Sequence, residues 1–309
     1  MISSPALRLG LACAGLALAS AADAQVVTRA DSLVARDPAA ATASVRQLDS
    51  LLTRSVRLVT LSTQDLTRQG LRGQPGSSAG STGAFGAEWG DVFFGAGYQS
   101  RARFTSVNDG SVAGGFGLGN PTQYVGLEVG ITSYSTVREG FGKNGSVSLK
   151  LHRILPGYYG VAVGVENVGN WGTTDGGSST YAVVSHNYQF RDDATAFLGS
   201  LAWNVGAGNN RYLRQSTLAA GNTGINPFAS GGLRLHEQAA LVLDWTGQDL
   251  TSVISFVPIR SAPLVISAGW ADLTHSAGDG ARFIVSAGMG FKAKDLLGFG
   301  QHREGDRDR

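Results

Sequence analysis

Residues 147–166 read VSLKLHRILPGYYGVAVGVE. Val147, Leu149 and Leu151 alternate with Ser148, Lys150 and His152. After Leu155-Pro156-Gly157, Tyr159, Val161, Val163 and Val165 resume the alternation against Gly160, Gly164 and Glu166. A period of two places every second side chain on one face of an extended chain, whereas a helix needs repeats at three and four. The proline and glycine between the two runs are a turn signal. The stretch predicts two antiparallel strands, each with one apolar face and one small, polar or charged face.

The same rhythm recurs from Phe85 onward. Apolar phases run through Val92, Phe94, Ala96, Tyr98; Val112, Phe116, Leu118; Val125, Leu127, Val129, Ile131; Phe197, Leu201, Trp203, Val205; and Leu233, Leu235. They continue through Leu241, Leu243, Trp245; Ile254, Phe256; Leu264, Ile266, Ala268, Trp270; and Phe283, Val285, Ala287, Met289, Phe291. A strand through Tyr181 to Phe190 has no clear phase. The count is about twelve, an even number as in single-chain outer-membrane barrels. Short connections, such as Asn120-Pro121-Thr122, Arg191-Asp192-Asp193 and Glu237-Gln238, alternate with longer ones, Ser133 to Gly145, Val168 to Ser179 and Gly206 to Asn226. Gln248-Asp249 is a short connection on the long side. A soluble barrel would turn its apolar phase inward, and about eight strands already suffice for an interior filled by side chains. Here the other phase carries Gly95, Gly97, Gly126, Gly160 and Gly164 with Glu128, Lys150, Glu166, Arg234 and Asp244, a composition suited to a wet lumen. The fold expected is all-β, an antiparallel transmembrane β-barrel over residues 85–291, with Tyr98, Tyr159, Trp203, Trp245, Trp270 and Phe291 near the membrane interfaces.

From Phe85 to Phe291 the chain resembles bacterial outer-membrane β-barrel proteins. Its last strand, Arg282 to Phe291, ends in an aromatic on the apolar phase with Gly288 before it, as that family's assembly signal does. Lys150 to Arg153 and Asp244 to Leu250 are similar to segments of uncharacterised outer-membrane families, among them barrels associated with exopolysaccharide secretion. The resemblance implies a bacterial outer-membrane location, lipid around the barrel and insertion by the barrel-insertion machinery. It implies no catalytic residue. The charged tail, 292–309, departs from the pattern because the final aromatic is normally terminal.

Ahead of the barrel, Arg8, the apolar run Leu9 to Ala19 and Ala22-Asp23-Ala24 have the order of a secretory signal peptide, residues 1–24. The apolar run is shorter than the roughly 20 residues a membrane-spanning helix needs. Residues 25–69 are expected as a periplasmic segment holding an amphipathic helix, with Asp37 as N-cap, Pro38 at its first turn, and Val45, Leu48, Leu52, Val59 and Leu66 on one stripe. Such a stripe is either a coiled-coil seam for self-association or a periplasmic partner, weakened by Ser55 and Ser62 at the intervening positions, or the inner face of a helix lying on the rest of the protein. Residues 70–84 have the glycine and serine content of a flexible linker. The sole cysteine, Cys13, falls in the leader, so the mature chain has no disulfide framework.

A net charge of +2 leaves no basic surplus for nucleic acid. None of the five histidines has ligand spacing, and no cofactor or metal is expected. Ser185-His186-Asn187 and Thr274-His275-Ser276 are the only hints of a barrel hydrolase, and no catalytic residue is assigned. The chemistry left is the lumen lining: Arg101, Arg103, Lys150, His152, Arg234 and His236 on the basic side, Glu128, Glu166 and Asp244 on the acidic side. These residues fit either a narrow channel for small polar or anionic solutes or a structural, partner-binding barrel with a plugged lumen. Whether the two signs of charge segregate separates ion-pair bracing from a charge filter.

Overall fold

The computed structural model describes residues 73–172, 177–277 and 280–293. The expected leader, the helical segment at 25–69 and the tail beyond residue 293 lie outside the described residues. Twelve antiparallel strands close into a barrel in sequence order. They are β1 (Asp91–Gln99), β2 (Asp109–Gly119), β3 (Gly126–Tyr134), β4 (Asn144–Leu155), β5 (Tyr159–Trp171), β6 (Ser179–Gln189), β7 (Ser200–Gly208), β8 (Asn226–His236), β9 (Ala239–Trp245), β10 (Leu250–Phe256), β11 (Leu264–Ala271) and β12 (Arg282–Lys292). The ring shuts where β1 pairs with β12, from Asp91 opposite Lys292 to Gln99 opposite Ile284. Closure leaves no sheet edge with unpaired backbone.

The expected β4–β5 hairpin is present. Gly157 (φ 79°) and Tyr158 (φ 61°) supply the two left-handed residues that reverse the chain between Leu155 and Tyr159. One rim of the barrel carries this turn and the other short connections. We call it the turn end, and both β1 and β12 meet there. The opposite rim, the loop end, carries 100–108, 135–143, 172, 177–178, 209–225, 246–249, 272–277 and 280–281. The longest of these folds into a 3-10 turn (Asn210–Tyr212) and a short helix, α1 (Gln215–Ala219).

The apolar phase faces outward on every wall. Phe94, Ile131, Leu151, Val163, Val205, Leu243, Ile254 and Trp270 are exposed large hydrophobics, while Ser111, Glu128, Lys150, Glu166, Asn204 and Asp244 on the alternate phase are buried. Outside the turn end, Tyr159 stacks on His186 at 4.1 Å, and Trp203 meets both rings edge-on.

The interior departs from the composition-based expectation. The described part of the glycine- and serine-rich stretch, together with the residues that lead into β1, is a re-entrant segment, 73–90, that runs through the barrel. It starts at the turn end, where a side chain on Gly73 would meet Val257 and the Leu264 carbonyl. The Gly76 amide donates to Ser255 Oγ at 2.8 Å, and the segment climbs to an apex at Ala79–Ser81 beside Asp244. It then descends, the Ala84 amide donating to Ser185 Oγ at 2.7 Å and the Ala87 amide to Glu128 Oε2 at 2.8 Å. Trp89 bonds Gly119 at the turn end before β1 begins. Residues with little or no side chain let the backbone itself fill a lumen and bond its walls. Composition does not distinguish that state from a solvated linker.

Two lumenal glycines have the same cause. A Cβ on Gly117 would fall 2.3 Å from the Ala87 carbonyl carbon, and one on Gly232 would fall 2.5 Å from the Gly76 carbonyl oxygen. Neither position tolerates a side chain while the segment is in place, so these glycines mark a backbone passage and not open water.

Candidate functional site

The re-entrant segment divides the interior. Its climbing limb packs on β9 to β12, where Ala79, Val242, Val253, Ala271 and Ile284 form an apolar cluster. Its descending limb leaves space against β1 to β6. That space is a partly open cavity of about 120 Å³, measured for the centre of a water molecule, lined by Glu128, Thr132, Tyr134, Ser148, Lys150, Glu166, Asn167, Tyr181, Arg211 and segment residues Ser78, Ser81 and Thr82.

The apex is clamped from two sides. Asp244 Oδ2 accepts the Ala79, Gly80 and Ser81 amides at 2.7, 2.8 and 2.8 Å, a nest of three N–H groups on one buried carboxylate oxygen. Arg211, from the 3-10 turn, donates to the Gly80 carbonyl. Its guanidinium also bonds Glu166 Oε2 at 3.1 Å, while Tyr212 donates to Glu166 Oε1 at 3.3 Å and stacks on Phe228. Lower down, Lys150 donates to the Phe85 carbonyl at 2.9 Å and pairs with Glu128 at 3.0 Å. His152 Nε2 lies 3.0 Å from the Ala87 carbonyl oxygen.

A break in strand register shapes the cavity wall. Leu149 pairs with Val165 and Val147 with Val168, so β5 carries one residue more than β4 over that interval. The extra residue makes a bulge, and Asn167 there has φ 58°. A regular strand would point Glu166 and Asn167 to opposite faces. At the bulge both line the cavity, a re-aiming that bulges make possible. Asn167 Oδ1 accepts from Tyr134 at 2.6 Å and from Ser146 at 3.0 Å.

The sequence-predicted lining residues fall into three places. Glu128, Lys150, His152, Glu166 and Asp244 are buried in the barrel and hold the segment or its supports. Arg103 is buried too, but it comes from the loop 100–108 and closes the loop end, donating to Gln248 at 2.7 Å and pairing with Asp249 at 3.3 Å. That contact accounts for the short Gln248-Asp249 connection, which is folded beneath Arg103. Arg101 bonds the Gly280 carbonyl at 2.6 Å in the loops. At the turn end Arg234 donates to the Glu237 carbonyl at 3.0 Å, and His236 is exposed past a register shift in β8. Around the cavity the two signs do not segregate. Lys150 pairs with Glu128 and Arg211 with Glu166.

Arg211, Tyr212, Tyr134 and Asn167 escaped the sequence reading. Arg211-Tyr212 sits in the longest outer connection, and length was its only signal. Asn167 lies on the apolar phase by count, and the bulge that turns it inward leaves no mark in a period of two. Ser185 and His186, adjacent in β6, project to opposite faces, since Ser185 bonds Asn204 inside while His186 stacks on Tyr159 outside.

No family model matches the chain, and no curated protein matches it. Among solved structures it is similar to an outer membrane channel from Pseudomonas putida F1, at 11% identity and a TM-score of 0.36 over 65% of this chain and 96% of that one.

Proposed function

We propose that the protein is a bacterial outer-membrane barrel that acts as a narrow channel for small polar solutes, held closed by its own segment 73–90. The observation that carries the reading is the pairing of an outward apolar belt with a polar interior whose passage is occupied by a hydrogen-bonded loop of the same chain. An apolar outer face and a polar inner one are what a barrel in lipid requires. In the membrane the turn end faces the periplasm and the longer loops face outward. Lipid and the barrel-insertion machinery are its expected partners. Both cations that line the cavity are paired, which favours uncharged polar solutes over the anionic ones also expected from the sequence.

In planar bilayers the native protein is expected to conduct rarely and in brief openings, and Asp244→Ala to raise the open fraction at least tenfold. A variant that inserts yet never conducts would overturn the channel. The second reading, a structural barrel that presents the segment or residues 25–69 to a periplasmic partner, is favoured by the number of bonds holding the segment. Under it, Asp244→Ala changes capture of that partner and leaves the membrane electrically silent.

A further inference from the structure

The cavity beside the segment has a lining divided in an unusual way. Its charges are used: Lys150 bonds Glu128 and the Phe85 carbonyl, and Arg211 bonds Glu166 and the Gly80 carbonyl. Four of its neutral groups, on Asn167, Ser81, Thr132 and Ser148, are not. Asn167 spends its carbonyl oxygen on Tyr134 and Ser146, and its amide nitrogen bonds no group among the described residues. Ser81 is 1% exposed, and its hydroxyl has no partner among the described residues. Thr132 and Ser148 line the same wall with hydroxyls that bond no other side chain. Leaving a buried hydroxyl without a partner forfeits its hydration with nothing in return, so such a group is explained best by a bound water or ligand.

We infer that this cavity binds a small neutral polyhydroxylated solute, a molecule of monosaccharide size. Hydroxyls that both donate and accept match a wall whose free groups are amide and hydroxyl, while a net charge would find its counter-charge already paired. The rings of Phe93 and Tyr181 on the lining offer apolar surface for the C–H face of such a molecule. A cavity of about 120 Å³ on the water-centre measure has room for about ten waters at 10–15 Å³ each, matching the dozen heavy atoms of a hexose. The bulge at Asn167 is the device that builds the site, because it brings an amide beside a carboxylate where a regular strand would supply only one of them. The inference names the solute class of the proposed channel, yet binding at equilibrium needs no flux.

The test uses saturation-transfer NMR on the full-length barrel in an amine-oxide detergent, free of glycosidic detergents that would compete. Glucose, glucuronate and glucosamine are the neutral, anionic and cationic probes built on one pyranose ring. Glucose is expected to saturate at millimolar concentration, with both charged analogues at least fivefold weaker. Asn167→Ala and, separately, Ser148→Ala should weaken glucose at least fivefold. Ser148→Ala removes a hydroxyl that supports nothing else, so a folding defect at Asn167 would not spare the proposal. Absence of saturable glucose transfer, tighter binding of a charged analogue, or full binding by Ser148→Ala would overturn it. Glucose binding in a barrel that never conducts would keep the site and sink the channel. Conductance without binding would do the reverse.

Discussion

The walls formed by β9 to β12 and by β3 to β6 share one alternation and enclose different contents. On the first, Val242, Val253, Ala271 and Ile284 cluster with Ala79 of the segment, while the buried Ser255 and Asp244 between them accept its amides. On the second, Glu128, Thr132, Ser148, Lys150 and Glu166 meet a cavity, and only Ala162, Tyr181 and Val183 on β5 and β6 cluster with Ala84 of the segment. The outward phases of both are apolar and exposed. Periodicity therefore settles which residues face in, while the residue types on the inward phase record what they face. A wall against packed backbone supplies apolar contacts and a few acceptors for the backbone amides, and a wall against solvent must offer hydrogen bonds throughout.

The largest expected effect tests whether the contrast is confined to the inside. Val163 on β5 and Leu243 on β9 are about equally exposed, at 54% and 50%. An arginine at either should cost about 2–4 kcal/mol at mid-membrane. Val163→Arg and Leu243→Arg should thus impair insertion alike, measured as loss of heat-modifiable gel mobility in lipid vesicles. Glu128→Gln should leave a folded, heat-modifiable barrel. If only one arginine damages assembly, the two walls differ outside as well and the contrast must be redrawn.

Asp244→Ala strikes the seam between the halves. It removes a charged acceptor from three amides, two of them buried and one half-buried, and hydrogen bonds to a charge contribute about 1.5–3 kcal/mol each without adding fully, so a loss on the order of 3 kcal/mol is expected. Hydrogen exchange at residues 76–87 should accelerate while that of the strands stays unchanged. Thr132→Val, on the hollow side, should alter stability by less than about 0.5 kcal/mol. Equal effects would mean that the segment is held by general packing and not by the apex clamp.

A smaller effect comes from a matched pair of lumenal glycines. A Cβ at Gly232 would sit 2.5 Å from the Gly76 carbonyl, whereas one at Gly130 meets nothing nearer than 4.0 Å. Gly232→Val is expected to cost about 1–3 kcal/mol as an overpacked site and to raise conductance by displacing the climbing limb. Gly130→Val should narrow the cavity and leave the melting temperature unchanged.

The strands, the inward and outward phases and the closure were legible in the sequence because the outer and inner faces of the barrel differ in polarity at a period of two. The sixth strand was unreadable for a physical reason. Tyr181 and Val183 face in and pack with Ala84, Tyr212 and Phe228, while Ala182 and Val184 face out, so both phases of β6 are apolar. The segment itself was read as a linker, because Gly and Ser report what a backbone is allowed to do and not what it touches. Of the site, Glu128, Lys150, Glu166 and Asp244 were found by phase. Asn167 and Arg211 were missed because one depends on a bulge and the other on a loop that folds inward.

The smallest expected effect lies outside both halves and checks that perturbing the turn end leaves them alone. In the connection between β6 and β7, Asp193 Oδ1 accepts the Thr195 hydroxyl at 2.6 Å and the Thr195 amide at 2.8 Å. The hydroxyl foremost, then the amide, hold this exposed carboxyl below its ordinary value. A carboxylate whose folded value is depressed contributes stability above its unfolded value and loses it as pH falls through the folded one. Exchange of the Thr195 amide should therefore be slower in the native protein than in Asp193→Ala at neutral pH. That difference should survive through the ordinary carboxylate range and vanish only below it. Solvent screens a group this exposed, so global stability, conductance and exchange at residues 76–87 should not move. If the difference disappears within the ordinary carboxylate range, the turn does not hold its carboxylate as described. If Asp193→Ala instead loosens the segment, the turn end and the clamped apex are coupled, and the interior responds as one body and not as two halves.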